Sequence, residues 1–555
     1  MEGIISGVWN VLLQYFRSYK VAKTAVLNYI TPFTDKFDLV DILLVWTVIV
    51  VIGTVIYRNV NYARKHGFRK TVTAWFFRRL KRISFITNKI DGEISKLASS
   101  LEADIQKHRD ASKTTHIPTT GLSEEALVKK LAQWQKIDHK IYGEKKITGC
   151  IYYNEGEKLQ TIVKDVAKEY FYINPLHFDL FPTANQMEGE VIYMVKNLYN
   201  GDDKSCGILS SGGTESIMIA MLAYREQGRI NGIFEPEIVA PITAHVAFEN
   251  AAFYYGMRMK WVPVDIKTGV VSPHDIKKAI SKDTVCVIGS YPNYPYGTCD
   301  PIEQLAAIAK KKKVGFHTDC CLGGFVAPFA EKFGAMSEVF DFRVPGVTSI
   351  SVDPHKYGLA PKGVSVVLFR DRKLRGGSFF SCTTWPGGIY STPTHAGSRG
   401  HAPVAGAWVA LQYTGYNGYM DKAGKIIEAT RRVAKKISEI PELQVVGNPQ
   451  LGSVAFVTKT NKLSIYDLVD KIGQRGWKLA ALQLPPAVHL SITNYNIGQI
   501  EDFIASVKWG VTELLKAGPP KVQGELAQIY GSNAKLPESI MQDGAKVILE
   551  GLLKP

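Results

Sequence analysis

The chain has 555 residues, 46% of them hydrophobic, with 48 glycines and seven cysteines. That size and composition exclude a disordered or fibrous protein and leave room for two or three packed units. The formal charge of +16 is concentrated: residues 1–90 carry 14 Lys/Arg against 4 Asp/Glu, so most of the excess lies outside the main body and no nucleic-acid partner is expected. Within that region residues 42–57, ILLVWTVIVVIGTVIY, carry no charge. With Leu39, Val40 and a tolerated Asp41 the run approaches the roughly 20 residues that cross a bilayer. One transmembrane helix is therefore predicted over 39–57. Segment 58–82 follows with nine Lys/Arg, no acidic residue, and Trp75, Phe76 and Phe77 among them. Positive flanks stay cytosolic, so residues 1–38 are expected in the lumen and everything after 57 in the cytosol. About 40 residues precede the apolar run, too many for a cleaved signal peptide. A buried core helix is the competing reading.

The basic segment continues over 58–145, where residues 83–135 are polar with helically spaced apolar positions. From about 145 onward, short apolar runs alternate with helical patterns. CGILS (206–210) precedes 215–227, EIVAP (237–241) precedes 246–256, and TVCVIGS (284–290) precedes 302–312. VGFHTD (314–319) leads into a loop, and VTSISV (347–352) ends just before Lys356. Such alternation predicts a mostly parallel sheet covered by helices, with ligands held at the carboxyl ends of its strands. A helical stretch at 402–440 then leads to a smaller α/β unit, with strands near LQVVG, SVAFVT and AVHLSIT around a helix at 464–474. The expected division is a large domain over 146–425 and a small one over 426–555. The seven cysteines (150, 206, 286, 299, 320, 321, 382) include no C-x-x-C spacing, so neither a disulfide framework nor a zinc site is expected.

Chemistry gathers at the strand ends. SSGGTES (210–216) follows the first strand; Gly212 and Gly213 let backbone approach a ligand, and Thr214 is placed to cap the next helix, whose N-terminus suits a phosphate. Alone, this is equally a plain glycine turn. His245 follows the second strand, where its ring can stack on a flat ligand or merely hydrogen-bond. Asp319 ends a buried run and needs a cationic partner; His317 and Asp319 are otherwise a structural or metal pair, with no third ligand in view and no metal expected. Lys356 follows Asp353 and Pro354 past a core strand, where desolvation lowers an amine's pKa and favours a nucleophile, unless it is an ordinary surface lysine. A phosphate cup, a ring stacker, a pyridinium partner and a Schiff-base lysine together meet the needs of pyridoxal 5'-phosphate.

Over roughly residues 90–535 the chain also resembles the sphingosine-1-phosphate lyases of pyridoxal-phosphate fold type I. The resemblance rests on INPLHFDLFP at 173, SSGGTES at 210, HTDCCLGGF at 317, DPHKYGLAPKG at 353, AGSRG at 396 and QLPPAVH at 483, in that order. It implies an aspartate-aminotransferase-like α/β fold and cleavage of phosphorylated sphingoid bases in sphingolipid metabolism. By the same resemblance Lys356 carries the cofactor, His245 stacks on its ring and Asp319 pairs with its nitrogen. Gly213, Thr214 and His355 hold its phosphate, and Ser398 comes from the partner in a homodimer. Asn174, His177 and Lys362 face the substrate; Tyr294 is a further substrate-site candidate, and His177, Lys362 or Tyr294 is expected to transfer protons. A single-pass protein of the endoplasmic reticulum membrane with a cytosolic catalytic body is implied too. Thr183 after Phe-Pro and Gly400 after Arg399 depart from the family pattern and bear on local loop shape. Two rivals remain: an amino-acid decarboxylase of the same fold, which needs an arginine for the substrate carboxylate, and a silent membrane scaffold, which needs a lost cofactor residue.

Overall fold

The computed structural model describes residues 115–518 except Glu155, Phe178 and Ser337, plus scattered helical positions nearer the termini. The transmembrane helix expected over 39–57 lies outside the described residues, apart from helical Thr47, Ile49 and Val50. Among the described residues no helix is long and apolar enough to cross a membrane.

Seven strands form the central sheet: β1 (Cys206–Ser210), β2 (Glu237–Pro241), β3 (Arg258–Val262), β4 (Thr284–Ser290), β5 (Gly315–Cys320), β6 (Ser349–Val352) and β7 (Ser365–Phe369). Their spatial order is β1-β7-β6-β5-β4-β2-β3. Neighbours from β6 through β5, β4 and β2 to β3 are parallel, and β7 is antiparallel to both β6 and β1. Hence β1 to β6 run one way and β7 alone runs the other. The carboxyl ends of β1, β2, β5 and β6 share one edge.

Near-continuous apolar strands reflect burial on both faces. Alternate residues enter two cores: Leu209, Val239, Val287 and Val366 on one side, and Ile208, Ile238, Ile288 and Val367 on the other. Each such side chain contributes about 1.5–3 kcal/mol relative to exposure. Helix Gly213–Ile230 closes the second core with Ile217, Ala220, Met221 and Tyr224, a stripe at helical spacing.

Helix Ala402–Ser438, interrupted at Gly415 (φ 62°), packs against the N-terminal helices Lys158–Glu169 and Pro182–Leu198 and against the small sheet. The domain boundary expected at 425/426 falls inside it. The small sheet is antiparallel throughout and comprises β8 (Leu443–Val445), β9 (Ser453–Thr458), β10 (Ala480–Leu482) and β11 (Ala487–Ser491), in the order β8-β9-β11-β10. Helices Ile465–Gly473 and Ile500–Ala517 pack on one another beside it.

Candidate active site

The lysine turn after β6 is clamped from two sides. Tyr357 donates to the carbonyl of Ile492 at 2.6 Å, and Tyr419 of the long helix donates to the carbonyl of Gly358 at 2.7 Å. Both tyrosines are buried, so the turn that presents Lys356 is fixed by the small sheet's edge and the long helix. Lys356 Nζ lies 2.9 Å from Asp353 Oδ2, and His355 Nε2 lies 3.6 Å from the same oxygen. Asp353 is 1% exposed and also accepts from Ser365 Oγ at 2.6 Å.

These contacts reverse one expectation. Burial does press the Lys356 pKa down, but attraction to Asp353 outweighs it and the net shift is upward. As the structure stands, Lys356 is a charged ammonium held by a carboxylate. Burial likewise works against the Asp353 carboxylate, yet Lys356 and His355 hold its pKa below the usual range. Asp353 was not singled out from sequence, because Asp-Pro after a strand reads as ordinary turn chemistry.

Across the edge, β1 ends at Ser210 and the glycine turn follows. A Cβ on Gly213 would sit 2.7 Å from Asp353 Oδ2 and 3.0 Å from Cys321 Sγ, so only glycine fits where this turn meets the lysine turn. A Cβ on Gly212 would lie 3.6 Å from the His355 ring. Thr214 does not cap the helix. The cap is Gly212, without a side-chain bond, and Thr214 is exposed in the first turn. Glu215 instead accepts from the backbone N and the hydroxyl of Ser211, both at 2.7 Å, and from His395 Nδ1 at 3.3 Å. Burial opposes its ionisation, but the bonds from His395 and Ser211 hold its pKa down to about 2.

His245 lies between β2 and the helix Ala247–Tyr255, its Nδ1 accepting from the Ala247 amide at 3.1 Å. Its ring edge faces Tyr294 at 6.3 Å, and Tyr294 in turn packs against buried His489 at 4.9 Å. Asp319 is 6% exposed at the end of β5, and its Oδ1 accepts from the Cys321 amide (3.0 Å) and Ser351 Oγ (3.2 Å). It forms no ion pair with any described residue. Lys362 Nζ lies 4.9 Å above the ring of buried Tyr152 and donates to the His355 carbonyl at 3.4 Å. Burial and the neighbouring Lys356 lower its pKa.

The remaining expected residues form a second group. Asn174 Nδ2 donates to Ser398 Oγ at 3.0 Å, and Asn174 Oδ1 accepts from the Leu176 and Arg399 amides. His177, three residues on, is exposed. Asn174, His177 and Ser398 make no hydrogen bond or ion pair with Lys356, His355, Thr214 or Asp319. The structure thus unites Gly212, Gly213, His355, Lys356 and Lys362 around Asp353, sets Asp319 on the same sheet edge, and leaves the second group on loops.

The first group fits pyridoxal 5'-phosphate. A buried carboxylate without a cation is costly, and a protonated pyridine nitrogen is the cation Asp319 lacks. A glycine cradle at a helix N-terminus beside a histidine and two lysines suits the phosphate.

Comparison with known proteins agrees. Residues 148–459 match the family model described as the pyridoxal-dependent decarboxylase conserved domain. Sphingosine-1-phosphate lyase of Drosophila melanogaster is 36% identical over 484 residues, covering 86% of this chain and 88% of that one. The Saccharomyces cerevisiae enzyme of the same name is 38% identical over 446 residues, covering 79% and 75%. The solved sphingosine-1-phosphate lyase of Burkholderia pseudomallei superposes with a TM-score of 0.71 at 36% identity, covering 74% of this chain and 95% of that one. Glutamate decarboxylase of Lactobacillus brevis, at 20% identity and a TM-score of 0.63, shares the fold. With a bound-lysine turn, a glycine cradle and this level of identity along most of its length, the chain belongs to the sphingosine-1-phosphate lyase family within the pyridoxal-dependent decarboxylase fold.

Proposed function

We propose that this protein is a pyridoxal 5'-phosphate-dependent aldehyde-lyase acting on sphingosine 1-phosphate and related phosphorylated sphingoid bases. It breaks the C2–C3 bond and releases a long-chain aldehyde and phosphoethanolamine. The observation that carries this reading is the pairing, on one sheet edge, of a lysine turn locked by two tyrosines with a buried carboxylate that has no cation of its own. When bound, the cofactor supplies an electron sink for the charge left at C2.

The chain's residues supply the rest. Lys356 holds the cofactor covalently, His245 covers its ring, and Asp319 pairs with its nitrogen. Gly212, Gly213, Thr214 and His355 surround its phosphate, joined by Ser398 of the partner subunit. A homodimer with shared sites is supported by the position of Asn174 and Ser398, which bond to each other and not to the Lys356 group of their own chain. The C3 hydroxyl must lose a proton and C2 must gain one; His177, Lys362 or Tyr294 moves them in this reading. Asn174, His177 and Lys362 receive the substrate phosphate.

The proposal includes a single-pass anchor over 39–57 in the endoplasmic reticulum membrane, with the catalytic body in the cytosol. The charge-free run and its basic flank support it.

Phosphate recognition is the discriminating test. Losing a charge-assisted contact costs on the order of 1.5–3 kcal/mol, or about tenfold to over a hundredfold in kcat/KM. His177→Ala and Lys362→Ala should each lose that much on the phosphorylated base while the cofactor's absorbance stays near wild type. If wild type shows no preference for the phosphorylated over the unphosphorylated base, or if the preference survives both substitutions, the reading is wrong.

A further inference from the structure

Behind Asp319 lies a buried polar chain that the reaction as described leaves unused. In the parallel pairing of β5 with β6, His317 sits opposite Ser349 and Asp319 opposite Ser351. Because strand residues alternate faces, all four side chains share one face of the sheet. His317, Ser349 and Ser351 are fully buried. Ser351 Oγ donates to Asp319 Oδ1 at 3.2 Å, His317 Nε2 lies 3.0 Å from Ser351 Oγ, and His317 Nδ1 lies 2.7 Å from Ser349 Oγ. Ser349 Oγ then meets the hydroxyl of Tyr224 at 2.6 Å, and Tyr224 meets Thr348 Oγ1 at 2.7 Å.

The carboxylate sets the direction of this chain. An ionised carboxylate only accepts, so the Ser351 hydroxyl hydrogen points at Asp319 and its oxygen must accept from His317. His317 therefore carries its proton on Nε2 and accepts at Nδ1 from Ser349, which accepts from Tyr224. From Ser349 to Ser351 every donor points toward Asp319, while Tyr224 shares its hydroxyl hydrogen between Ser349 and the Phe316 carbonyl at 3.3 Å. Burial lowers the His317 pKa to about 4 despite the attraction of Asp319, so the imidazole is neutral near pH 7 and contributes direction rather than charge. Hydrogen bonds aligned in one sense reinforce one another. Two further features serve the chain. Gly315 leaves room for the Tyr224 ring, which a Cβ there would approach to 2.2 Å, and Phe248 closes over the His317 ring at 5.7 Å. Tyr224 belongs to the helix whose first turn forms the glycine cradle, so the chain ties Asp319 to the element that receives the phosphate.

We propose that Tyr224, Ser349, His317 and Ser351 form a positioning relay that orients the Asp319 carboxylate toward the cofactor's ring nitrogen and keeps a hydrogen bond on it. The proposal rests on the reading that Asp319 faces that nitrogen. None of the four relay residues touches the reacting atoms. Their effect is on how well Asp319 holds the ring protonated.

Ser351→Ala removes one oxygen and should leave the fold and the borohydride-trapped cofactor link at Lys356 intact. It should shift the pH at which the bound cofactor's visible band changes and lower kcat about tenfold or more, with KM within about twofold. Ser351→Thr, which restores the hydroxyl, should recover both readouts. His317→Gln, which keeps a donor toward Ser351, should be milder than His317→Phe. In an Asp319→Asn background, Ser351→Ala should add nothing further. If Asp319→Asn moves the band but Ser351→Ala and His317→Phe do not, or if the Ser351 and Asp319 effects simply add, the relay is refuted. If Asp319→Asn itself leaves the band and kinetics unchanged, it is the cofactor reading of Asp319 that fails.

Discussion

Asp353 is the residue around which the site is organised, since its one carboxylate meets Lys356, His355, Ser365 and the space above Gly213. A buried ion pair contributes little net stability against an apolar pair, but removing one partner strands the other at a cost of about 3–5 kcal/mol. Lys356→Ala should therefore do more than abolish turnover. In the cofactor-free protein it should melt below wild type, and Lys356→Ala/Asp353→Asn should melt above Lys356→Ala alone. A double variant that melts no higher than the single one would show that the pair does not hold the turn. Sequence suggested Lys356, His245 and Asp319 because each is an unusual residue type after an apolar run, and the family resemblance added His355. Sequence did not reveal Asp353, although Lys356 lies only three residues on, because a turn's spacing does not say which side chains fold back on one another, nor the sign of the Lys356 shift, which depends on that contact and on the burial of Asp353. Thr214 misled for a related reason: helix-capping preference named it, while the cradle needs the helix to begin at the glycines.

At the scale of elements, strands and helices were legible wherever burial on both faces imposed continuous apolar runs; β4 and the helix Ile302–Lys312 lie where expected. Strand direction was not legible, because an apolar run such as SVVLF in β7 looks the same parallel or antiparallel. The loop between β4 and that helix was also missed as a structural unit. Asp300 closes it, accepting from the Ser290 amide at 2.9 Å while its own amide donates to the Ser290 carbonyl at 3.0 Å. Asp300 is fully buried, and burial, reinforced by repulsion from Glu338 and Asp319, raises its pKa to about 7. A raised acid retains a proton in the folded state that the unfolded chain releases, so its contribution is complete below the unfolded pKa near 4 and is lost as pH rises through about 7. The shift corresponds to something on the order of 4 kcal/mol. Relative to Asp300→Asn, wild type should lose stability between about pH 4 and 7 when both are melted across the range, the lowered pKa values of His317 and His401 acting in the opposite sense in both proteins. Parallel melting curves for the two proteins would remove Asp300 as the source. The Lys356–Asp353 pair contributes little to this window. Its lysine pKa is raised and its carboxylate pKa lowered, so its stabilisation is lost only toward strong alkali or strong acid.

For the whole molecule, two properties of the proposed enzyme lie beyond a single described chain. Shared sites can be tested by complementation: co-expressed Lys356→Ala and Ser398→Ala chains, each impaired alone, should regain up to about a quarter of wild-type activity, because a symmetric heterodimer rebuilds one intact site. Sites contained within one chain would show no such recovery. The proposed membrane attachment rests on composition alone, on an uncharged run long enough to span a bilayer and nine cationic residues after it. Among the described residues, by contrast, the two cores on either side of the central sheet draw only on residues after 145. Deleting residues 1 to about 60 should therefore leave the cofactor's absorbance and the turnover of a soluble short-chain phosphorylated base unchanged. The truncated protein should be extracted without detergent, while the full chain should need it. It should also lose more activity on long-chain base presented in vesicles than on the soluble one, because the anchor raises the local concentration of a lipid substrate rather than altering the site. A truncated protein that still fractionates as an integral membrane protein would show that 39–57 is not the anchor.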